Sequence, residues 1–124
     1  MTPFLQAARS GSVQAVMSLV ETVGDSVLGE RTKKGMTCLH LAAERTDGSA
    51  GPVVRFLLDT FEGRPELPQV DARDGQGFTP LHVACMHGDA EAVSALLRRG
   101  ASVGAANDRG STPLHWAASR GHAQ

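Results

Sequence analysis

The chain of 124 residues carries five histidines, two cysteines and scattered carboxylates, the residue types of thiol, metal and acid–base chemistry. Their spacing argues against each. Cys38 stands two residues before His40, as a thiol and its base would, but residues two apart at a helix start face different directions. Asp47 and Asp59 each lack a second acid at defined spacing, so no general acid–base pair forms. Gly75-Gln76-Gly77 lacks the preceding buried strand and the following Lys-Ser/Thr of a phosphate loop and reads as a turn tip. Cys38 and Cys85 lie in no C-x-x-C pair and read as free thiols in packing slots, which places the chain in a reducing compartment, cytosol or nucleus. No catalytic residue, metal site or cofactor is expected.

The histidines instead point to how the chain is organised. His40, His82 and His115 each close a tetrad: Thr37-Cys38-Leu39-His40, Thr79-Pro80-Leu81-His82 and Thr112-Pro113-Leu114-His115. Thr2-Pro3-Phe4-Leu5 is a weaker copy, and the four threonines are separated by 35, 42 and 33 residues. An Ala pair or near-pair follows each tetrad, and adjacent apolar residues recur at Leu19-Val20, Leu57-Leu58 and Leu96-Leu97. Self-similarity at such a period marks stacked supersecondary units. At their spacing of about 10 Å in a stack, His40, His82 and His115 cannot share one metal ion.

One unit can be derived from its residues. Thr79 suits an N-cap and Pro80 the first helical position, with Leu81, Ala84 and Cys85 on one face. This helix should stop near His87-Gly88. A second should start at Asp89, carry Ala92, Val93, Leu96 and Leu97 on one face, and stop at Gly100. The Gly-rich polar stretches 71–78 and 104–111 favour tight turns between units.

These residues resemble the ankyrin repeat. Asp74 to Ala101 follows its pattern closely, with Cys85 and Asp89 as departures, and Asn107 to His122 follows it again. The resemblance implies an all-α solenoid of stacked helix-turn-helix units with short β-turn loops. It divides residues 1–124, a single domain, into an N-terminal capping repeat at about 2–31, a second repeat at 32–73, a third at 74–106 and half of a fourth at 107–124. In the second repeat, three extra residues are expected in a loop at Arg45–Pro52, and six more between Asp59 and Val70. The half repeat suggests a piece of a longer array, or an open end that another chain covers; the expected state is otherwise a monomer.

The resemblance also implies a concave binding face made by the turn tips and first helices. Its positions here are Lys33, Lys34, Met36, Glu44 and Arg45 in the second repeat. The third supplies Arg73, Gly75, Gln76, Phe78, Met86 and His87. The fourth supplies Asp108, Arg109, Ser111, Ser119 and Arg120. Phe78 and Met86 make an apolar anchor, with Arg73, Arg109 and Arg120 as donors to acidic flanks. Trp116 is expected to pack between repeats.

Charge and composition fit this reading. Twelve Lys and Arg oppose thirteen Asp and Glu, a net charge of -1 that makes a nucleic-acid partner unlike the expectation. Lys33-Lys34 sits at a turn, and Arg98-Arg99 ends a helix, where it suits the dipole. No run of residues is apolar enough to span a membrane. Aromatics at 4% and fourteen glycines leave a core of Ala, Leu and Val. The function expected is protein–protein interaction, the alternatives being a nucleic-acid or nucleotide-binding domain or a regulatory domain of an enzyme.

Overall fold

A computed structural model describes residues 2–23, 28–45, 48–62 and 70–115. Among them run six helices: α1 Pro3–Ser10, α2 Val13–Val23, α3 Cys38–Ala43, α4 Ala50–Phe61, α5 Pro80–His87 and α6 Ala90–Arg98. A further helical turn occupies 113–115, and no strand occurs among the described residues. The outer part of the expected fourth-repeat helix, with Trp116, lies outside them.

The tetrad is a helix starter. Thr79 Oγ1 accepts the His82 N–H at 3.3 Å, and His82 Nδ1 accepts the Thr79 N–H at 3.0 Å. Thr37 and His40 repeat this reciprocal cap. Two backbone donors that the helix cannot satisfy are thereby paired. Leu5 takes the place of His in the first unit, so Thr2 provides only half the motif, accepting from Leu5 N–H at 3.3 Å. Because Nδ1 accepts a backbone N–H, the ring proton sits on Nε2. It donates forward to the next unit: His40 to the Phe78 carbonyl at 2.6 Å, His82 to the Ser111 carbonyl at 2.8 Å.

Helices α1, α3 and α5 pack in one row, and α2, α4 and α6 in a second. Between the rows lie Leu39, Leu57, Leu81 and Leu96, fully buried, with Ala42, Ala43 and Ala84 at 0% exposure letting backbones approach. Each buried Leu stabilises the fold by about 2 kcal/mol relative to exposure. Phe4 of the weaker first tetrad is 2% exposed and joins this core. The third unit follows its derivation closely: α5 stops before Gly88 in the left-handed region, and Asp89 Oδ1 caps α6 by accepting Ala92 N–H at 3.0 Å.

Three expectations are corrected. Gly51 and Pro52 fall inside α4, not in a loop, because proline fits the first helical turn, where its missing N–H has no partner to lose. Helix α4 also runs past Leu58 to Phe61, whose ring is 5% exposed and holds the added turn against the core. Leu97 is 42% exposed, while Leu58, its counterpart in α4, is 4% exposed with α6 packed along that helix. The rest of the second-repeat insertion, at 63–69 and 46–47, lies outside the described residues.

Candidate functional site

Each turn tip is built the same way. A polar side chain at its start accepts two backbone N–H groups: Thr32 from Lys34 and Met36, Asp74 from Gln76 and Phe78, Asn107 from Arg109 and Ser111. The tip closes through Gly77 at φ 83°, a conformation that suits glycine. Neighbouring tips are joined. Gly75 N–H donates to the Lys34 carbonyl at 2.7 Å, and Asp108 N–H to the Gln76 carbonyl at 3.0 Å. Arg31 bridges the Gly35 and Arg73 carbonyls at 2.9 and 3.0 Å. Arg73 does the same one unit on, reaching the Gly77 and Ala106 carbonyls at 3.2 and 2.5 Å. The backbone of the tips is thus fixed while their other side chains face outward.

Where the first two tetrads meet this rim, a groove of about 650 Å³ opens between α1, α3 and the 31–36 tip. Leu5, Leu41 and Met36 supply its apolar lining; Arg9, Arg31, Lys33, Lys34 and Glu44 supply its charges. Arg9 Nε lies 3.6 Å from Glu44 Oε1. Glu30 is adjacent, accepting a hydrogen bond from Thr2 Oγ1 at 2.7 Å.

The expected contact residues divide into four groups. Lys33, Lys34, Gln76, Asp108 and Arg109 are exposed on the tips beside Gly75, and His87 is exposed at the end of α5. Met36, Glu44, Met86 and Ser111 are half-buried along the same face. Three others are taken up by the fold. Phe78 is half-buried, its ring edge-on to His82 with centroids 5.5 Å apart, which gives it a packing role in place of a free anchor. Arg73 directs its guanidinium into the tip ladder. Arg45 is corrected outright: it is 4% exposed and turned inward. Its guanidinium donates to the carbonyls of Ala7, Ala8 and Gly11, and to Ser49 Oγ at 2.9 Å. The Ala8 and Gly11 carbonyls lie at the end of α1 without a backbone donor, while the Ala7 carbonyl also accepts the Gly11 N–H, so a cation is favoured there. Ser119 and Arg120 lie outside the described residues. Arg9 and Arg31, groove residues absent from the expected set, were legible by register: Arg9 shares its repeat position with Glu44 and Met86.

The titratable groups serve the fold. Burial holds His40 and His82 below the ordinary imidazole value, partly offset by their carbonyl partners. Both cysteines are free and buried. Burial pushes the Cys38 thiol up to about 12 and raises Cys85 as well, which suppresses the reactive thiolate. Among the described residues no three His, Cys, Asp or Glu side chains group to hold a metal ion, and no helix is long and apolar enough to cross a membrane.

A family model for ankyrin repeats in three copies matches residues 52–124. Human ankyrin repeat domain-containing protein 63 is 31% identical over 96% of the chain, which spans 30% of that protein. Mouse SH3 and multiple ankyrin repeat domains protein 1 is 35% identical over 99% of the chain, which spans 5% of it. The putative E3 ubiquitin-protein ligase XBAT31 of Arabidopsis thaliana is 35% identical over 82% of the chain, which spans 23% of it. The chain therefore matches only a minor part of each of these proteins. The family match, the reciprocal Thr–His caps and the paired helix rows lead to one assignment: the chain belongs to the ankyrin-repeat family.

Proposed function

We propose that this chain is a protein-interaction module without catalytic activity of its own, and that it binds a partner protein on the face shared by the turn tips and first helices. One observation carries the reading. At equivalent positions the backbone is tied into the stack, while the outward side chains differ in chemistry: Lys34, Gln76 and Arg109 in one row, Glu44 and Met86 in another. A fixed scaffold with diverse side chains suits recognition, since little order must be gained on binding. Two buried free thiols suit a reducing compartment, cytosol or nucleus.

The test is affinity capture with the 124-residue chain, followed by variants on opposite faces. Lys34→Ala with His87→Ala should weaken capture of a defined partner, while Ser94→Ala on α6 should leave it intact. Equal loss from both faces, or none from the tip variants, would overturn the assignment of this face. A steep salt dependence with oligonucleotides in place of protein would favour the nucleic-acid alternative.

A further inference from the structure

We infer that the groove between the first two repeats binds an acidic peptide segment carrying one bulky apolar side chain; this rests on the interaction reading above and deepens it. The chain as a whole has a net charge of -1. The groove nevertheless gathers Arg9, Arg31, Lys33 and Lys34, and the carboxylates described beside them are already engaged, with Asp74 of the next tip accepting two N–H groups of its own turn. Glu44 already faces Arg9, and Glu30 is held by Thr2. Neither ammonium of Lys33 or Lys34 meets a carboxylate among the described residues.

The main chain of Lys34 is tied into the stack of tips. Lys34 N–H donates to Thr32 Oγ1 at 3.2 Å, and the Lys34 carbonyl accepts from Gly75 at 2.7 Å. The side chain of Lys34 therefore projects from backbone that is part of the stack. A compact positive rim steers and orients an anionic partner.

The lining decides what kind of anion. Met36, half-buried, offers the accessible apolar surface inside the rim, over a floor of Leu5 and Leu41 at 1% exposure, and a groove of about 650 Å³ has room for one large side chain and adjacent backbone. Met adapts its shape to such a guest. A phosphate backbone would use the cations and leave this lining bare, so a peptide fits better than a nucleic acid. The equivalents of Lys33, Lys34, Met36 and Glu44 in the third repeat are Gly75, Gln76, Phe78 and Met86, all uncharged, with the Phe78 ring packed on His82. The site thus belongs to the first two repeats.

The experiment is fluorescence anisotropy with the whole chain and a labelled short peptide having a central Leu flanked on both sides by Glu. Binding is expected, with a loss of about tenfold or more in Lys33→Glu/Lys34→Glu and an unchanged melting profile. Ser94→Glu, on the opposite row at α6, should change affinity by no more than about twofold. Replacing the peptide's Leu by Ser should also weaken binding. No binding, or equal binding by the double variant, overturns the proposal. So does an oligonucleotide that competes as well as the peptide while the Leu→Ser peptide binds unchanged. If the double variant still captures a defined protein partner and His87→Ala does not, the interaction reading stands and the groove assignment falls.

Discussion

Truncating Arg45 to Ala removes the donor that three carbonyls at the end of α1 share. Charge-assisted bonds of this kind contribute about 2 kcal/mol, and the Ala8 and Gly11 carbonyls, left without a donor, add to the loss. Arg45→Ala should therefore lower unfolding stability by about 2 kcal/mol or more in a denaturant melt, and Arg45→Lys should not restore it, because one ammonium lacks the planar fork. A change within about 0.5 kcal/mol would mark Arg45 as an ordinary surface residue. The histidines make a second prediction. Burial lowers the values of His40 and His82, so the native state favours neutral rings. The unfolded chain, titrating near about 6.5, binds protons that the native state resists. Stability should be level above that pH and fall as acid is added through it toward the lowered native values. Melts between about pH 7.5 and pH 5 would show this, and a flat profile would contradict it.

At the scale of an element, the turns divide into those under close contact and those in open space. A Cβ on Gly77 would sit 2.7 Å from Asp108 Oδ1 and 2.9 Å from Asp108 N; one on Gly110 meets nothing within 4 Å. Both residues are in the left-handed region. Gly110→Ala should cost about 1 kcal/mol for its backbone alone. Gly77→Ala should cost clearly more, since it also pushes two tips apart. Comparable losses would mean that the tip contact contributes little. The same contrast explains what could be read from residues alone. Caps and stops at Thr79, Gly88 and Asp89 are local, and periodicity exposes them. Where α4 ends is not local: Phe61 adds a turn because the core has room for its ring. Nor is the direction of a long side chain local. Register places Arg45 beside the proposed binding face, but the open end of α1, far off in sequence, draws its guanidinium inward. The groove was half legible, through Lys33, Lys34, Met36 and Glu44, and by register through Arg9; Leu5 joins its floor only once α1 is stacked beside α3.

Across the whole molecule, each unit touches only its neighbours, so opening need not be uniform. Cys38 is 0% exposed in the second repeat, while Cys85 is 6% exposed in the third, with Leu97, Val103 and Leu114 exposed beyond it. A thiol reagent should modify both slowly under native conditions and Cys85 first. Equal rates would indicate that the array opens as one unit. The forward bonds from His40 and His82 end on the main-chain carbonyls of Phe78 and Ser111, and those from Arg31 and Arg73 on the carbonyls of Arg73 and Ala106. A carbonyl is the same in every residue. The receiving side of each joint is therefore blind to sequence: residue 78 or 111 can hold its place in the stack whatever side chain it shows to a partner. Adhesion between parts and the choice of guest are written in different atoms of the same residue, so one can be rewritten without erasing the other.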